Sequence, residues 1–128
     1  MRPKWFVTVA GLAMVGACGG TSSSNSSASG PRVTISDFSF SPSTLSVKAG
    51  TTVTWTNNGP MTHTTVSDTA VWSSANLGPP AGGGGYGGGT AGGSFQFTFN
   101  TPGSYPYHCS LHPPASYPGF VGTITVTQ

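Results

Sequence analysis

The chain has 128 residues, of which four are Lys or Arg and two are Asp or Glu, so charged residues make up only 5% of it. That length accommodates one modest domain and not two complete cores. So few basic side chains argue against nucleic-acid binding, which rests on many contacts to phosphates. The two acidic residues, Asp37 and Asp68, are far apart in sequence, which argues against paired carboxylates for acid–base catalysis.

The N-terminus has the pattern of an export signal. A basic start is followed by an apolar stretch, residues 5–15, which is shorter than the roughly 20 residues that span a bilayer. The residues Val-Gly-Ala before Cys18 resemble the cleavage box of bacterial lipoproteins, a family in which that cysteine is acylated. We therefore expect a lipoprotein signal peptide over residues 1–17 and a lipid anchor on Cys18, in a protein exported to the bacterial envelope and facing the periplasm or the exterior. An ordinary cleaved signal is the alternative.

Residues 18–31 are expected to be the lipidated cysteine and a Gly/Ser-rich tether, because they contain no large apolar side chain. Such a tether reaches roughly 20 Å. Without the signal peptide the chain is close to neutral, since Arg2 and Lys4 account for the net charge of +2. If Cys18 carries lipid, Cys109 has no partner for an intramolecular disulfide. An unpaired thiol in an exported protein indicates metal ligation, catalysis or an intermolecular bridge.

The folded domain is expected over residues 32–128, where apolar side chains recur with a period of two. No helix-length window there is free of Gly or Pro and carries an apolar face. Short turn signals separate the alternating runs. The pattern predicts an all-β fold, a Greek-key β-sandwich of about seven to eight strands. In chain order the alternating positions are Val33 and Ile35, Phe38 and Phe40, Leu45 and Val47, Val53 and Trp55, Val66, Phe95, Phe97 and Phe99, Tyr105 and Tyr107, and Ile124 and Val126.

A glycine-rich segment at residues 78–93 interrupts the alternation. It has no following helix with a Lys and a Ser or Thr, as phosphate binding through such a loop would need. We expect a flexible surface loop between two strands.

Two of the three candidate metal ligands lie close together near the C-terminus. Cys109 follows a predicted strand, His112 comes three residues later and can fold back beside it, and His63 starts another strand after a turn. One thiolate and two imidazoles form a soft set suited to copper, although zinc would also accept them. The third histidine, His108, adjoins Cys109 and is expected on the opposite strand face, away from the metal.

Several stretches, in this order and spacing, resemble the cupredoxins, and in particular the plastocyanin/amicyanin-like blue-copper proteins. The resemblance covers residues 32–128 and implies a cupredoxin-like fold that holds one copper ion, cycling between Cu(I) and Cu(II). It also implies that His63, Cys109 and His112 are the equatorial copper ligands. The stretches are DFSFSP at 37–42, VKAGTTVTW at 47–55, HT at 63–64, TPGSY at 101–105, YHCSLHP at 107–113 and GTITV at 122–126.

The chain departs from these relatives at the axial ligand, which is usually a Met shortly after the second His. No Met occurs in residues 113–122. Counted back from Gly122, Phe120 takes the place of the Met; counted forward from His112, Tyr117 lies near it. Either the site is three-coordinate, or Tyr117 or a backbone carbonyl approaches the metal. Loss of the thioether favours Cu(I) and is expected to raise the reduction potential. Met61 is expected to shield the site.

These features predict an electron carrier and not an enzyme, tethered to a membrane through acylated Cys18 and serving redox partner proteins of the cell envelope. We expect a monomer that docks through apolar contacts around His112, because a neutral surface gives little electrostatic steering. Copper storage or delivery in the envelope is the alternative function. A zinc hydrolase would need a general base, and the presence of only two acidic residues argues against that function.

Overall fold

The computed structural model describes residues 30–82 and 89–128. The predicted signal peptide, Cys18 and nearly all of the tether lie outside the described residues, as does the middle of the glycine-rich segment. The described residues form eight strands, in agreement with the number predicted. They are β1 (Arg32–Ser36), β2 (Ser39–Ser41), β3 (Thr44–Lys48), β4 (Thr51–Asn57), β5 (Val66–Ser67), β6 (Ser94–Phe99), β7 (Gly103–His108) and β8 (Val121–Thr127).

The strands form two four-stranded sheets, which confirms the predicted all-β sandwich. One sheet has the order β2-β1-β4-β6 and the other the order β3-β8-β7-β5. Strands β1 and β4 pair in parallel, as do β3 and β8, and the remaining pairs are antiparallel. Within residues 30–82 and 89–128 there is no helix long and apolar enough to cross a bilayer.

The two-residue period of the sequence explains which side chains face the core. In β4 the buried residues are Val53, Trp55 and Asn57, and the threonines between them are partly exposed. In β8 the buried residues are Gly122, Ile124 and Val126. In these two strands, therefore, a mostly apolar face packs toward the opposite sheet, and the threonines of the other face are more exposed.

One detail of the sequence prediction is wrong. His63 does not start a strand: it makes an isolated bridge with Leu77, and β5 begins only at Val66. Phe95 and Phe97 alternate as expected, but both are only partly buried. Their strand, β6, lies at the edge of its sheet, so only one neighbouring strand helps to cover them.

Tyr107 is fully buried where the core approaches the candidate metal ligands. It pairs across the sheet with Gly122, and a Cβ at Gly122 would lie 2.3 Å from the Tyr107 ring. Only glycine therefore leaves room for this ring. The ring also packs edge-on against Trp55, with centroids 5.6 Å apart. Tyr107 is thus the large side chain that fills the space between β4 and β8 just before the chain reaches Cys109.

The burial of Tyr107 predicts a loss of stability in alkali. Desolvation raises the pKa of Tyr107 from its usual 10 to about 12, and the Trp55 side chain offsets part of that rise. The folded state therefore binds this proton more tightly than the unfolded state does, so its contribution is full below pH 10 and is lost as pH rises through 12. Two pKa units correspond to about 3 kcal/mol. Urea unfolding between pH 8 and 12 should show this decline, and Tyr107→Phe should flatten it. An equally steep decline in Tyr107→Phe would contradict the assignment to Tyr107.

Candidate metal centre

Two connections between strands bring the candidate ligands together at one end of the sandwich. His63 lies in the connection from β4 to β5, and Cys109 and His112 lie directly after β7. One ligand atom from each of these three residues lies within 4.8 Å of the other two. The structure therefore brings together the three residues singled out from the sequence, although 46 residues separate His63 from Cys109.

Asn57 holds the first connection in place. Its buried amide donates hydrogen bonds to the carbonyls of Met61 (2.7 Å) and Leu77 (2.8 Å), and its Oδ1 accepts one from the N–H of Gly59 (2.9 Å). The backbones of His63 and Leu77 exchange two further hydrogen bonds. Because a buried amide with all these bonds is costly to disrupt, His63 is held on a fixed backbone.

The spacing of the donor atoms fits a metal ion of copper or zinc size. The Cys109 Sγ lies 4.0 Å from His63 Nδ1 and 3.7 Å from His112 Nδ1. Metal bonds of about 2.3 Å to sulfur and 2.05 Å to nitrogen, as found in zinc sites, place two donors of a trigonal site about 3.8 Å apart. The thiolate and two imidazoles of this set are the donor types of blue-copper sites.

The candidate ligands differ in their exposure. His63 and Cys109 are completely buried, whereas His112 is partly exposed. Burial of two ligands keeps water from that side of the site. The ring of His112 is therefore the candidate ligand that lies nearest the protein surface.

Thr64 supplies hydrogen bonds to the Cys109 sulfur. Its N–H lies 3.4 Å and its hydroxyl 3.6 Å from Sγ, and the backbone N–H of Ser110 donates to the same hydroxyl oxygen at 2.8 Å. The Ser110 hydroxyl also lies 2.9 Å from the Thr64 hydroxyl. When Ser110 donates to this oxygen, the threonine proton points at the sulfur, and the two residues form a short chain of donors ending on Sγ. Donors to a thiolate stabilise its negative charge.

Phe120 occupies the space beside the two imidazoles. It is fully buried, and its ring centroid lies 5.0 Å from that of His63, edge to face, and 6.1 Å from that of His112. The backward count from Gly122 therefore identifies the side chain that lies against the site. A phenyl ring offers the metal no lone pair, in contrast to a thioether.

Phe38 and Tyr117 form an aromatic stack at the surface beside His112. Their rings are nearly parallel, with centroids 4.3 Å apart, and each contacts the His112 ring edge to face at 5.2 to 5.3 Å. Phe38 has a φ of 64°, a left-handed conformation that is uncommon for a bulky residue. Tyr117 thus contacts His112 through its ring.

The remaining candidates lie away from the cluster or at its margin. The His108 ring bonds the carboxylate of Asp68, as expected for a side chain on the strand face opposite Cys109. Met61, which precedes His63 in the same connection, is 43% exposed. Among the described residues, the group of possible metal-binding side chains comprises only His63, Cys109 and His112.

Sequence reasoning missed three residues that shape this centre: Asp37, Asn57 and Thr64. The carboxylate of Asp37 accepts a hydrogen bond from His63 Nε2 at 3.0 Å. Asp37 stands 26 residues before its partner, and Thr64 stands 46 residues before Ser110. For Thr64, its position directly after His63 was a local signal of a role at the site. No local sequence feature indicated the contacts of Asp37 and Asn57.

Comparisons with known proteins agree with this geometry. The family model for copper-binding proteins of the plastocyanin/azurin family matches residues 30–127. Plastocyanin from Scenedesmus fuscus is 38% identical over 97 residues, which cover 68% of this chain and 85% of that protein. The chain therefore belongs to the plastocyanin/azurin family, the cupredoxins, whose members bind one copper ion and transfer electrons to and from partner proteins.

Solved structures give the same fold. The purple cupredoxin from Nitrosopumilus maritimus has a TM-score of 0.58 and 26% identity, and the match covers 76% of this chain and 99% of that one. The copper-containing nitrite reductase from Thermus scotoductus has a TM-score of 0.60 and 26% identity, and the match covers 77% of this chain but only 22% of the enzyme. The similarity thus extends over a whole cupredoxin and over one part of a larger enzyme.

Proposed function

We propose that this chain is a type 1 copper protein that carries single electrons, with His63, Cys109 and His112 as the equatorial ligands. The observation that carries the proposal is the convergence of one nitrogen from each imidazole and one thiol sulfur within 4.8 Å. Family membership supports copper as the ion. The bound copper would supply a one-electron change between Cu(I) and Cu(II).

The protein residues fit this role because they restrict change at the site. His63 and Cys109 are buried and hydrogen-bonded, and Phe120 fills the space beside both imidazoles. Ligands that are already held in place need to move little when the charge at the centre changes. We propose that the chain has no catalytic activity of its own, which is consistent with the small part of the nitrite reductase that it matches.

The surface around His112 supports docking of a redox partner. Phe38 contacts the His112 ring and Leu111 precedes it in the chain, and these two large apolar side chains are 36% and 46% exposed. The two prolines after His112 are exposed as well. Apolar contacts exclude water between two docked proteins. We propose that a monomer of this chain presents this surface to donor and acceptor proteins.

The copper proposal is tested by adding Cu(II) to the purified protein and recording its visible spectrum and its voltammogram. We expect one copper per chain, the intense thiolate-to-copper absorption of blue-copper sites and a reversible one-electron wave. A colourless protein would refute the proposal. Binding without reversible redox chemistry, together with release of copper to an acceptor, would favour storage or delivery instead.

We also propose that the protein is a lipoprotein of the bacterial envelope. The support is the N-terminal sequence alone: a short apolar stretch, small residues before Cys18, and the Gly/Ser-rich tether. Acyl chains on Cys18 would hold the copper domain within about 20 Å of the membrane. Expressed in a bacterium that acylates lipoproteins, the full chain should partition into the detergent phase, and Cys18→Ala should not. Release of the unmodified chain into the medium would show an ordinary cleaved signal.

A further inference from the structure

Asp37 connects the β1–β2 turn to the buried candidate ligand. Its Oδ1 accepts a hydrogen bond from His63 Nε2 at 3.0 Å, and its side chain is 30% exposed whereas that of His63 is fully buried. Asp37 follows β1 directly, and the pairing of Ser36 with Ser39 closes the turn that contains it. The carboxylate is therefore placed by a short hairpin and not by a long flexible loop.

Gly59 makes the space in which this carboxylate lies. A Cβ at Gly59 would be 2.6 Å from Asp37 Oδ1 and 3.0 Å from its backbone nitrogen. The N–H of Gly59 is in turn bonded to Asn57. The turn after β4 thus packs closely against Asp37, and this packing leaves the carboxylate little freedom to move away from His63.

The hydrogen bond determines which nitrogen of His63 carries the proton. A carboxylate can only accept, so Nε2 is the protonated nitrogen and Nδ1 keeps its lone pair. Nδ1 is the atom that faces Cys109 Sγ. His112 has no such partner, because the chain has only two acidic side chains and the other, Asp68, bonds His108.

Within residues 30–82 and 89–128, no Lys or Arg forms an ion pair with the carboxylate of Asp37. Among the described residues, its only ion-pair partner is His63 itself. A carboxylate bonded to a ligand imidazole makes that imidazole a stronger donor. In a largely buried site, where charges are weakly screened, the carboxylate also favours the more positive oxidation state of the metal.

We propose that Asp37 is a positioning residue that orients His63 and lowers the reduction potential of the copper site. The inference rests on the proposed copper function. Asp37 presents the Nδ1 lone pair of His63 to the metal and stabilises Cu(II) relative to Cu(I). Asp37 therefore lowers the reduction potential, whereas Phe120 raises it because its phenyl ring provides no thioether ligand.

The test compares Asp37→Asn with Asp68→Asn. Both variants remove one negative charge, and both carboxylates bond a histidine, but only Asp37 bonds a candidate ligand. Asn keeps an oxygen that can accept the hydrogen bond from Nε2. We expect Asp37→Asn to retain the blue absorption and to shift the Cu(II)/Cu(I) equilibrium at least about tenfold toward Cu(I), which is a rise of about 59 mV. Asp68→Asn should shift it much less.

A second measurement needs no copper. Long-range ¹H–¹⁵N NMR of the copper-free wild-type protein should show His63 protonated at Nε2, with a slowly exchanging proton, and Asp37→Ala should lose that slow exchange. An Nδ1-protonated His63 would overturn the orienting role. If the wild-type protein is blue and reversible, equal potentials in the wild type, Asp37→Asn and Asp68→Asn would overturn the effect on potential and leave the copper function intact. A colourless wild type would refute the copper function and the effect on potential together.

Discussion

Replacement of Cys109 by serine is expected to abolish the blue absorption and the reversible redox wave of the copper-loaded protein. The intense colour of such sites requires a thiolate bonded to Cu(II), and a serine hydroxyl remains protonated at neutral pH and is a poor ligand for this ion. Cys109 is fully buried between Thr64 and the two imidazoles, so no neighbouring donor replaces its sulfur. Copper affinity should fall at least about 100-fold, because one of only three candidate ligands is lost.

The chain offers a matched control in its second cysteine. Cys18→Ser removes the other thiol, which we assign to lipid attachment, and should leave the visible spectrum unchanged while releasing the protein from membranes. Circular dichroism of Cys109→Ser should match that of the wild type, since serine is similar in size and can still accept the Thr64 hydrogen bonds. Blue colour retained in Cys109→Ser, or lost in Cys18→Ser, would contradict the assignment of the two cysteines.

The fold could be predicted from the sequence because its signal is local. Alternation such as that of Val53 and Trp55 in β4 places one face of a strand in the core, wherever that strand lies in the sandwich. The order of strands in the two sheets does not follow from alternation. For example, β1 pairs in parallel with β4, and β3 with β8. These pairings depend on how whole strands pack, which no short stretch encodes.

The candidate ligands could also be predicted, but their surroundings could not. His63, Cys109 and His112 are conspicuous by residue type, and the resemblance to cupredoxins supplied their roles. Asp37 and Thr64 acquire a role only when segments that are distant in sequence meet. Sequence reasoning therefore identified the donors and missed the hydrogen bonds that orient and polarise them.

Residues around the candidate site have opposite effects on its reduction potential. Thr64 donates to the Cys109 sulfur, and Phe120 provides no axial donor; both features favour Cu(I) because they reduce electron donation to the metal. Asp37 adds negative charge through His63 and favours Cu(II). The potential of the protein is the balance of these effects, so each contribution is measurable only by changing one residue at a time.

Phe120→Met is expected to lower the reduction potential by shifting the Cu(II)/Cu(I) equilibrium at least about tenfold toward Cu(II), or about 59 mV. Phe120 lies against the rings of both His63 and His112, and a methionine there would direct a thioether toward the metal and stabilise Cu(II). The two side chains are similar in volume, so the substitution should cost about 1.5 kcal/mol of stability or less. Spectroelectrochemical titration measures the shift, and the visible spectrum reports any change in coordination.

Phe40→Met is the control, because Phe40 packs against the Phe120 and Tyr107 rings at 4.7 Å in the same core. It makes the same chemical change one layer further from the candidate ligands, so it should alter stability and leave the potential nearly unchanged. A potential that is lower in Phe120→Met but not in Phe40→Met would show that the wild-type site lacks a strong axial donor. It would also show that the Phe120 ring occupies the place where such a donor could bind. An unchanged or higher potential would mean that another group, such as Tyr117 or a backbone carbonyl, already donates to the metal from that side.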